Sequence, residues 1–312
     1  MMSNHKDKYK ITNWSSYNAS LCQRGSVNLW LSASLYSVWK EIDPSKKRVG
    51  EKMYPDVIIE ICLTLGQVYH LPLRQTTGFI KSLFTLMSLD LSIPDYTTLC
   101  RRKGNLKVKV SHRTSQQSID IVVDSTGLKV YGEGEWKVRK HGVSKRRTWQ
   151  KLHLGIDGCT QEVVSVVLTN NSVADAHVVE DLFKGCAKKV KSFCGDGTYD
   201  TDKVRKILSN GKIKQKIPPQ RNAVLSKKKE KHLVQRDQAI NRIKGIGRKE
   251  WKKEIEYHQR SLNETAMFRY KTSIGASLKA RKMDKQINEV KIGCHILNVF
   301  RSCGMPNSVK FA

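Results

Sequence analysis

The sequence is short of acidic residues, of closely paired cysteines and of long apolar runs. Among 312 residues there are 28 Asp and Glu against 57 Lys and Arg, which gives a formal net charge of +29. Positive charges in such excess repel one another unless an anionic partner neutralises them, and nucleic acid is the commonest such partner. The composition therefore disfavours a small-molecule enzyme that works alone.

The cysteines and the apolar runs exclude further classes. The eight cysteines lie far apart and form no Cys-x-x-Cys pair, so neither a zinc site nor a disulfide framework is indicated. Cys62 and others lie in apolar runs, which favours reduced, buried thiols. The first ten residues lack a signal-peptide pattern, and no run approaches the roughly 18 apolar residues that span a bilayer. We expect a cytoplasmic protein with no membrane partner.

The positive charge is concentrated at one end of the chain. Residues 1–110 carry 16 basic and 8 acidic side chains, residues 111–200 carry 13 and 11, and residues 201–312 carry 28 and 9. A nearly neutral, acid-containing middle flanked by basic segments suits chemistry on a phosphate backbone, because the flanks can hold the polyanion. The alternative is a solvated basic surface, although +19 in the last third exceeds what solubility needs.

Residues 1–110 are predicted to form a small all-α N-terminal domain. Apolar spacing predicts helices over Pro55–Tyr69 and Leu73–Leu86, and Asp95 can cap a third, short helix. This order is compatible with a helix-turn-helix-like DNA-binding unit that exposes Arg101 and Arg102, and equally with any small helical bundle.

Residues 111–312 are predicted to form an α/β domain with a basic C-terminal region. Three strand patterns joined by hairpins begin at Ile119, and Asp157-Gly158 marks one of the hairpins. A helix, a strand, a helix, a strand and a long Lys-rich helical region from about Ser226 follow. This order predicts a mixed sheet with flanking helices in the ribonuclease-H-like topology, while other α/β folds remain open by order alone.

Two aspartates end predicted strands. Asp124 follows the apolar triplet Ile121-Val122-Val123, and a charge in a buried strand is costly without a partner or a metal ion. Asp196 lies between two glycines at the carboxyl end of a strand, where ligands bind in open α/β sheets. The alternative for each is a structural role, as a strand-end acid bonded to the next turn or as an ordinary turn aspartate.

A third carboxylate lies in a spaced polar set on a predicted helix. Tyr257, Arg260, Glu264 and Lys271 fall at offsets of 0, 3, 7 and 14 residues. At about 100° per residue they share an arc of roughly 60° over about 21 Å. A chance polar face on a Lys-rich helix is the alternative, although Glu264 is one of few acids in that region.

Three carboxylates suit two hard divalent cations, which prefer oxygen ligands and can bridge a phosphate. Two ions about 3.5–4 Å apart would activate water or a 3′-hydroxyl and stabilise the leaving 3′-oxygen. We expect Mg²⁺, with Mn²⁺ as a substitute, because the sequence has no His/Cys cluster.

Residues 10–300 resemble the DDE transposases of bacterial insertion sequences, in the group with a Y-(2)-R-(3)-E-(6)-K signature. The set from Tyr257 to Lys271 matches that spacing without a gap. The segments VDSTGLKVYGEGEW and GDGTYD resemble the first and second aspartate motifs, and RRTWQKLHLGID resembles the segment after the first.

The resemblance implies a ribonuclease-H-like fold and roles for individual residues. It implies that Asp124, Asp196 and Glu264 are catalytic metal ligands, and that Tyr257, Arg260 and Lys271 contact DNA phosphates near the cleaved end. It further implies binding to terminal inverted repeats, cut-and-paste transposition by strand cleavage and strand transfer into target DNA, and association with the nucleoid. A homodimer is expected, because two DNA ends must be brought together.

Two readings of the remaining residues stay open. Trp149 and His153 could stack on a base or contact a phosphate, or they could support the sheet as partly buried side chains.

For the whole chain, the alternative is a non-catalytic DNA-binding or architectural protein that uses the N-terminal helices. That alternative requires the three carboxylates to be an accident of sequence. A folded but inactive transposase copy is a further alternative, which the unbroken motifs disfavour.

Overall fold

A computed structural model of the chain describes residues 8–42, 53–110, 118–130, 149–186, 189–227 and 230–311. The chain divides into two compact units. The first comprises Met1–Arg102 with Ile296–Ala312, and the second comprises Lys103–His295. The predicted functional boundaries, 1–110 and 111–312, stay a prediction, and residues 111–117 at their junction lie outside the described residues.

The described residues form eight strands. They are β1 (Lys8–Ile11), β2 (Ser118–Val130), β3 (Trp149–Asp157), β4 (Val163–Asn170), β5 (Lys189–Cys194), β6 (Lys214–Lys216), β7 (Ser277–Leu278) and β8 (Ser308–Phe311).

Eleven α-helices are described. They are α1 (Trp14–Arg24), α2 (Ala33–Lys40), α3 (Asp56–Val68), α4 (Leu73–Leu86), α5 (Tyr96–Arg102), α6 (Val179–Gly185), α7 (Asp202–Asn210), α8 (Val234–Ile246), α9 (Arg248–Glu254), α10 (Ser261–Ser273) and α11 (Met283–Cys303).

The first unit is built on the helices α1 to α5. Prolines precede α3 and α4, whose bounds agree with the predicted ones within a residue or two, because proline favours the first helical turn. Asp95 caps α5 as predicted, accepting a hydrogen bond from the Thr97 backbone N–H at 2.8 Å. The large apolar side chains of these helices meet in a core that includes Trp39, Ile58 and Phe84.

The two ends of the chain add an antiparallel ribbon to this unit. Strand β1 pairs with β8 over four residues, with Tyr9 opposite Lys310. The all-α prediction for the N-terminal domain omitted the ribbon, because each strand has four residues and the two are almost 300 residues apart. The local sequence pattern cannot predict pairing between two short strands that lie so far apart in the chain.

The second unit is built on a mixed sheet in the order β4-β3-β2-β5-β6, with the short β7 beside the end of β2. The pairs β2·β3 and β3·β4 are antiparallel, whereas β2·β5 and β5·β6 are parallel. Strand β2 is thus central. The antiparallel strands β3 and β4 lie on one side of it, and the parallel strands β5 and β6 lie on the other. The predicted α/β fold with a ribonuclease-H-like mixed sheet is confirmed.

Alternate residues of the central strand build the main core of this unit. Ile119, Ile121 and Val123 pack with Phe193 of β5 and with apolar residues of α6 and α7. Period-two alternation places these side chains on one face of the sheet, so the same strand can present polar groups where its buried part ends.

Two predicted elements differ from the observed ones. The hairpin at Asp157-Gly158 exists, but its turn is longer than two residues: the Asp157 N–H bonds to the carbonyl of Glu162 at 2.9 Å. The Lys-rich region is several short helices instead of one long helix. It breaks at Gly247, with φ of +82°, and at Glu256, with φ of +56°, because helical hydrogen bonding cannot continue through left-handed backbone.

Within the described residues, no single helix is long and apolar enough to cross a membrane. Helices α3 and α4 are long and apolar enough only when the two are taken together, and the chain bends by 103° between them.

Candidate functional site

The two aspartates follow the point at which β2 and β5 stop pairing, and Asp124 lies inside β2, opposite Leu154 of β3. Val122 of β2 and Cys194 of β5 are partners in the parallel pair of strands. Asp124 lies two residues beyond Val122, and Asp196 lies two residues beyond Cys194. Because both strands run in the same direction, the two residues lie near the carboxyl end of β5, although Asp124 is inside β2 and not at the strand end that the sequence predicted.

Both aspartates also take part in local turns. Asp196 caps a short 3-10 helix, Gly197–Tyr199, by accepting a hydrogen bond from the Thr198 N–H at 2.9 Å. One Asp124 oxygen accepts from the Ser125 N–H at 2.8 Å. The local hydrogen bonds proposed as alternatives therefore exist, and the second oxygen of Asp124, Oδ2, accepts from Arg260 Nη1 at 2.9 Å.

The third carboxylate is carried by α10, which packs against β2 and β3. The buried Asn263 amide donates to the carbonyl of Val122 and to that of Leu154, each at 2.9 Å. Asn263 precedes Glu264 directly, so these two hydrogen bonds fix the carboxylate beside the strand that carries Asp124. Sequence reasoning missed Asn263, because its partners are 141 and 109 residues away.

Arg260 brings the first and third carboxylates together. Its Nη1 donates to Asp124 Oδ2 at 2.9 Å, and its Nη2 donates to Glu264 Oε1. One guanidinium thus bridges carboxylates from a strand and a helix, using the fork of donors that suits carboxylate groups. The resemblance implied a phosphate contact for Arg260, whereas the structure pairs it with the acids.

The electrostatics of the site show that the acids are neighbours. Burial raises the pKa of Asp124, and the charges of Asp196 and Glu264 raise it further, while the Ser125 N–H and Arg260 oppose these effects. Burial also raises the pKa of Tyr257 to about 12, with added contributions from Asp196 and Asp124. The charges of Asp196 and Glu264 thus disfavour the ionised form of Asp124, and Arg260 favours it.

The chemistry of this donor set suits a divalent metal ion, although the ligand atoms of Asp124, Asp196 and Glu264 do not all lie within 4.8 Å of one another. The donors are three carboxylates, which hard cations prefer, and the guanidinium between Asp124 and Glu264 shows that positive charge is accommodated there. These residues would hold the ion with their carboxylate oxygens. No His or Cys ligand is needed, which agrees with the expectation of Mg²⁺ or Mn²⁺.

A second cluster with metal-ligand chemistry lies outside the predicted triad. Among the described residues, one ligand atom each from Asp202, Glu230 and His232 lies within 4.8 Å of the others. Its atoms already satisfy one another: His232 Nε2 is 2.5 Å from Asp202 Oδ1, and Lys206 Nζ is 2.8 Å from Asp202 Oδ2. The cluster also lies at the amino-terminal end of α7, where the helix dipole disfavours a cation.

Tyr257 and Lys271 lie before and after Glu264 in the chain. The helix predicted to carry all of them differs from the observed one. The single helix over the whole set is wrong, because Tyr257–Arg260 is a 3-10 helix and α10 begins at Ser261. The i, i+4 contact between Arg260 and Glu264 survives the change. Lys271 lies in the last turn of α10, and Lys252 Nζ lies 4.8 Å over the Tyr257 ring.

His153 requires a correction. Its side chain is fully buried, with Nε2 2.9 Å from Thr169 Oγ1 and Nδ1 3.6 Å from Asp175. Burial lowers its pKa to about 4, so it is neutral near pH 7. The proposed phosphate contact is wrong for His153, because a buried neutral ring offers DNA neither surface nor charge. The alternative, a side chain that supports the sheet, fits the structure.

The remaining predicted DNA contacts have different surroundings. Trp149 begins β3 half-buried, with Lys129 Nζ 5.7 Å from its ring centroid. In the first unit, Arg101 is exposed, whereas Arg102 donates to the Tyr54 carbonyl at 2.8 Å and pairs with Asp56. Arg102 thus ties α5 to α3, and Arg101 presents its charge to solvent.

A buried ion pair supports the loop after Asp196. Arg205 Nη2 lies 2.8 Å from Asp200 Oδ1 and also donates to the Ile217 carbonyl, while Nη1 donates to Gln215 Oε1 at 2.7 Å. Asp200 belongs to the GDGTYD segment, which was the available signal for its importance. The pair connects the loop to α7 and β6.

The comparison with known families decides the class of the protein. A family model described as a transposase DDE domain matches residues 115–299, which is more than half of the chain. A second model with the same description matches residues 22–133. The chain belongs to the DDE transposase family. The resemblance inferred from the motifs is confirmed at this level, and the bacterial insertion-sequence origin and the Y-R-E-K signature stay predictions.

One solved structure is similar over most of the chain. It is the cryo-EM structure of a piggyBac transposase synaptic complex with hairpin DNA. The match covers 90% of this chain and 74% of that chain, at 12% identity and a TM-score of 0.36. Membership of the DDE family itself places this transposase among the enzymes that cleave DNA.

Proposed function

We propose that this chain is the transposase of an insertion sequence, which binds terminal inverted repeats and performs strand cleavage and strand transfer with Asp124, Asp196 and Glu264. One observation carries the proposal. Two neighbouring parallel strands carry Asp124 and Asp196, and the helix that carries Glu264 is anchored on the first of these strands. Family membership supports the same chemistry.

The three carboxylates would hold two divalent ions, with Mg²⁺ as the expected metal and Mn²⁺ as a substitute. Bound there, the metal would supply Lewis-acid activation of the nucleophilic oxygen and stabilisation of the leaving oxygen. The protein contributes rigid placement of the ligands. β2 and β5 fix the two aspartates, and the Asn263 amide fixes Glu264.

Arg260 and Tyr257 are proposed to act on the DNA backbone. The guanidinium fork of Arg260, which donates to Asp124 and Glu264, has a geometry equally suited to a phosphate and would be free to pair with one if a metal ion satisfied these acids. A pKa of about 12 keeps the Tyr257 hydroxyl protonated near pH 7, so it can donate a hydrogen bond to a phosphate but cannot act as a base. Lys271 adds a positive charge two turns beyond Glu264.

The rest of the chain is proposed to bind the DNA ends and the target. The last third carries +19 of the total charge, which is a natural surface for a polyanion. The N-terminal helices, with Arg101 exposed, are proposed to recognise the inverted repeats. A homodimer would hold the two ends together, and cytoplasmic association with the nucleoid would follow from the substrate.

The test is Glu264→Gln, with Glu254→Gln as the matched control. Glu264→Gln should lower Mg²⁺-dependent cleavage of end DNA at least a hundredfold and leave DNA affinity unchanged, because it neutralises one metal ligand and not the basic surface. Glu254 pairs with Arg242 on a neighbouring helix, so its variant should cleave normally. Wild-type protein that binds end DNA but never nicks it in Mg²⁺ would favour the architectural alternative.

A further inference from the structure

Strand β6 ends in a buried cation. The side chain of Lys216 is 5% exposed, although lysine is almost never fully buried unless it is paired. In the sheet Lys216 lies opposite Cys194 of β5, two residues before Asp196. Burying an ammonium group costs free energy, so its partners must compensate for its lost hydration.

The partners of Lys216 lie in one short segment, 256–259. Its Nζ donates to Glu256 Oε2 at 3.2 Å and to Gln259 Oε1 at 3.1 Å. Gln259 belongs to the 3-10 helix Tyr257–Arg260, and Glu256 comes directly before it. One side chain of the sheet thus holds the segment from which Tyr257 and Arg260 extend, although it lies 40 residues earlier in the chain.

The backbone of this segment is held in an unfavourable conformation. Glu256 has φ of +56° and ψ of +38°, in the left-handed region that side chains with a Cβ disfavour. Such a conformation persists only where the surroundings fix it. The Glu256 side chain is 62% exposed, so packing fixes it little, whereas its hydrogen bond to the buried Lys216 ties it to the sheet.

The left-handed turn directs the chain back toward the acids. It separates α9 from the 3-10 helix, and Arg260 at the end of that helix donates to Asp124 at 2.9 Å. Burial raises the pKa of the Cys194 thiol to about 11, and the charges of Lys216 and Arg260 oppose this effect. Both cations therefore lie near the end of β5.

We propose that Lys216 is a positioning residue, which holds the left-handed turn at Glu256 and thereby aims Tyr257 and Arg260 at the reaction centre. This inference rests on the proposed function and extends it to a residue outside the three carboxylates and the spaced polar set. Because its side chain is buried, Lys216 acts through the segment 256–259 and not through contact with DNA.

The first experiment uses the full-length protein and a duplex of the inverted repeat that flanks its gene. Lys216→Met removes the ammonium and keeps an unbranched side chain. It should lower the single-turnover rate of Mg²⁺-dependent cleavage about ten- to a hundredfold, as a small misplacement of active groups does, and leave DNA affinity unchanged. Lys214→Met, which removes an exposed lysine from the same strand, is the control and should cleave like wild type. Weaker DNA binding by Lys216→Met, with a reduced dependence on salt, would overturn the proposal and assign Lys216 to a phosphate contact.

A second substitution tests the left-handed turn itself. Glycine adopts left-handed backbone without a steric cost, whereas alanine does not. Added to Lys216→Met, Glu256→Gly should therefore restore the cleavage rate at least severalfold, and Glu256→Ala should not. Equal rates for the two double variants would overturn the proposal. If Lys216→Met does not fold, the single variants make the same comparison, and Glu256→Gly should cleave faster than Glu256→Ala.

Hydrogen exchange separates failure of this inference from failure of the proposed function, because it requires no cleavage. The Glu256 N–H bonds to the Lys253 carbonyl at 3.0 Å, and the Gln259 N–H bonds to the Glu256 carbonyl at 3.1 Å. In Lys216→Met both should exchange at least severalfold faster than in wild type, with exchange in β5 unchanged. Wild-type protein that never cleaves in Mg²⁺ contradicts the proposed function, while exchange still tests the turn. Wild-type protein that cleaves, with unchanged exchange at 256–259 in Lys216→Met, would overturn this inference alone.

Discussion

Arg260 is the residue on which the resting state of the site depends. Its guanidinium satisfies Asp124 and Glu264 together, in the place where a metal ion would compensate the same charges. A metal ion held by these carboxylates would therefore compete with an internal cation.

Arg260→Gln is predicted to increase the stabilisation of the protein by metal. Without the guanidinium, like charges at Asp124 and Glu264 face each other, so added Mn²⁺ should raise Tm by several degrees more than in wild type. Differential scanning calorimetry with and without Mn²⁺ measures this. Arg242→Gln, which breaks the surface pair with Glu254, should leave the metal-induced shift unchanged. An equal shift in both variants would show that Arg260 does not compete with metal.

Asn263→Ala is predicted to destabilise the second unit. The substitution removes both hydrogen bonds from the helix to the sheet, which should lower the free energy of unfolding by about 1–3 kcal/mol. Urea denaturation measures the loss, and the exposed Asn222→Ala serves as the control. Cleavage should fall with it, because Glu264 loses its anchor. Unchanged stability would mean that the amide contributes nothing to fixing α10.

At the scale of elements, the pair β3·β4 contains a pH-sensitive group. Burial holds the pKa of His153 at about 4, below its ordinary 6.5. Between these values the unfolded chain binds a proton that the folded chain does not, so the unfolding free energy falls as the pH drops from about 6.5 to 4.

His153→Asn should flatten that dependence. The expected loss in wild type is on the order of 1–3 kcal/mol across this window, since each pKa unit corresponds to about 1.4 kcal/mol. Urea titrations at several pH values compare the two proteins. The same slope in the variant would assign the acid sensitivity to other groups.

The sequence predicts the helices and strands better than it predicts where they break and how they are connected. The strands around Asp124 and Asp196 follow from apolar alternation, but Asp124 lies inside β2 and not at its predicted end, because β2 continues to pair with β3 beyond it. The break at Glu256 does not follow, because a non-glycine residue in left-handed backbone has no local signal. The burial of His153 could not be predicted from the sequence either. Strand periodicity shows which face of the sheet a residue is on, but it does not show which elements cover that face.

For the whole molecule, charge and chemistry are divided along the chain. The near-neutral middle contains Asp124 and Asp196, and the strongly basic last third contains Glu264 and the surface proposed to bind DNA. The distribution of charge and the three acids could be predicted from the sequence. That the three acids form one reaction centre stays a prediction, which the strand order and the anchoring of α10 support.

The most direct test compares wild type with Asp124→Asn, Asp196→Asn and Glu264→Gln on end DNA, measuring affinity and Mg²⁺-dependent cleavage in parallel. Each variant neutralises one carboxylate and changes neither the basic surface nor the size of the side chain. We predict that all three bind DNA like wild type and that none cleaves it. Cleavage at the wild-type rate by any one of them would contradict the proposal that these three residues form the reaction centre.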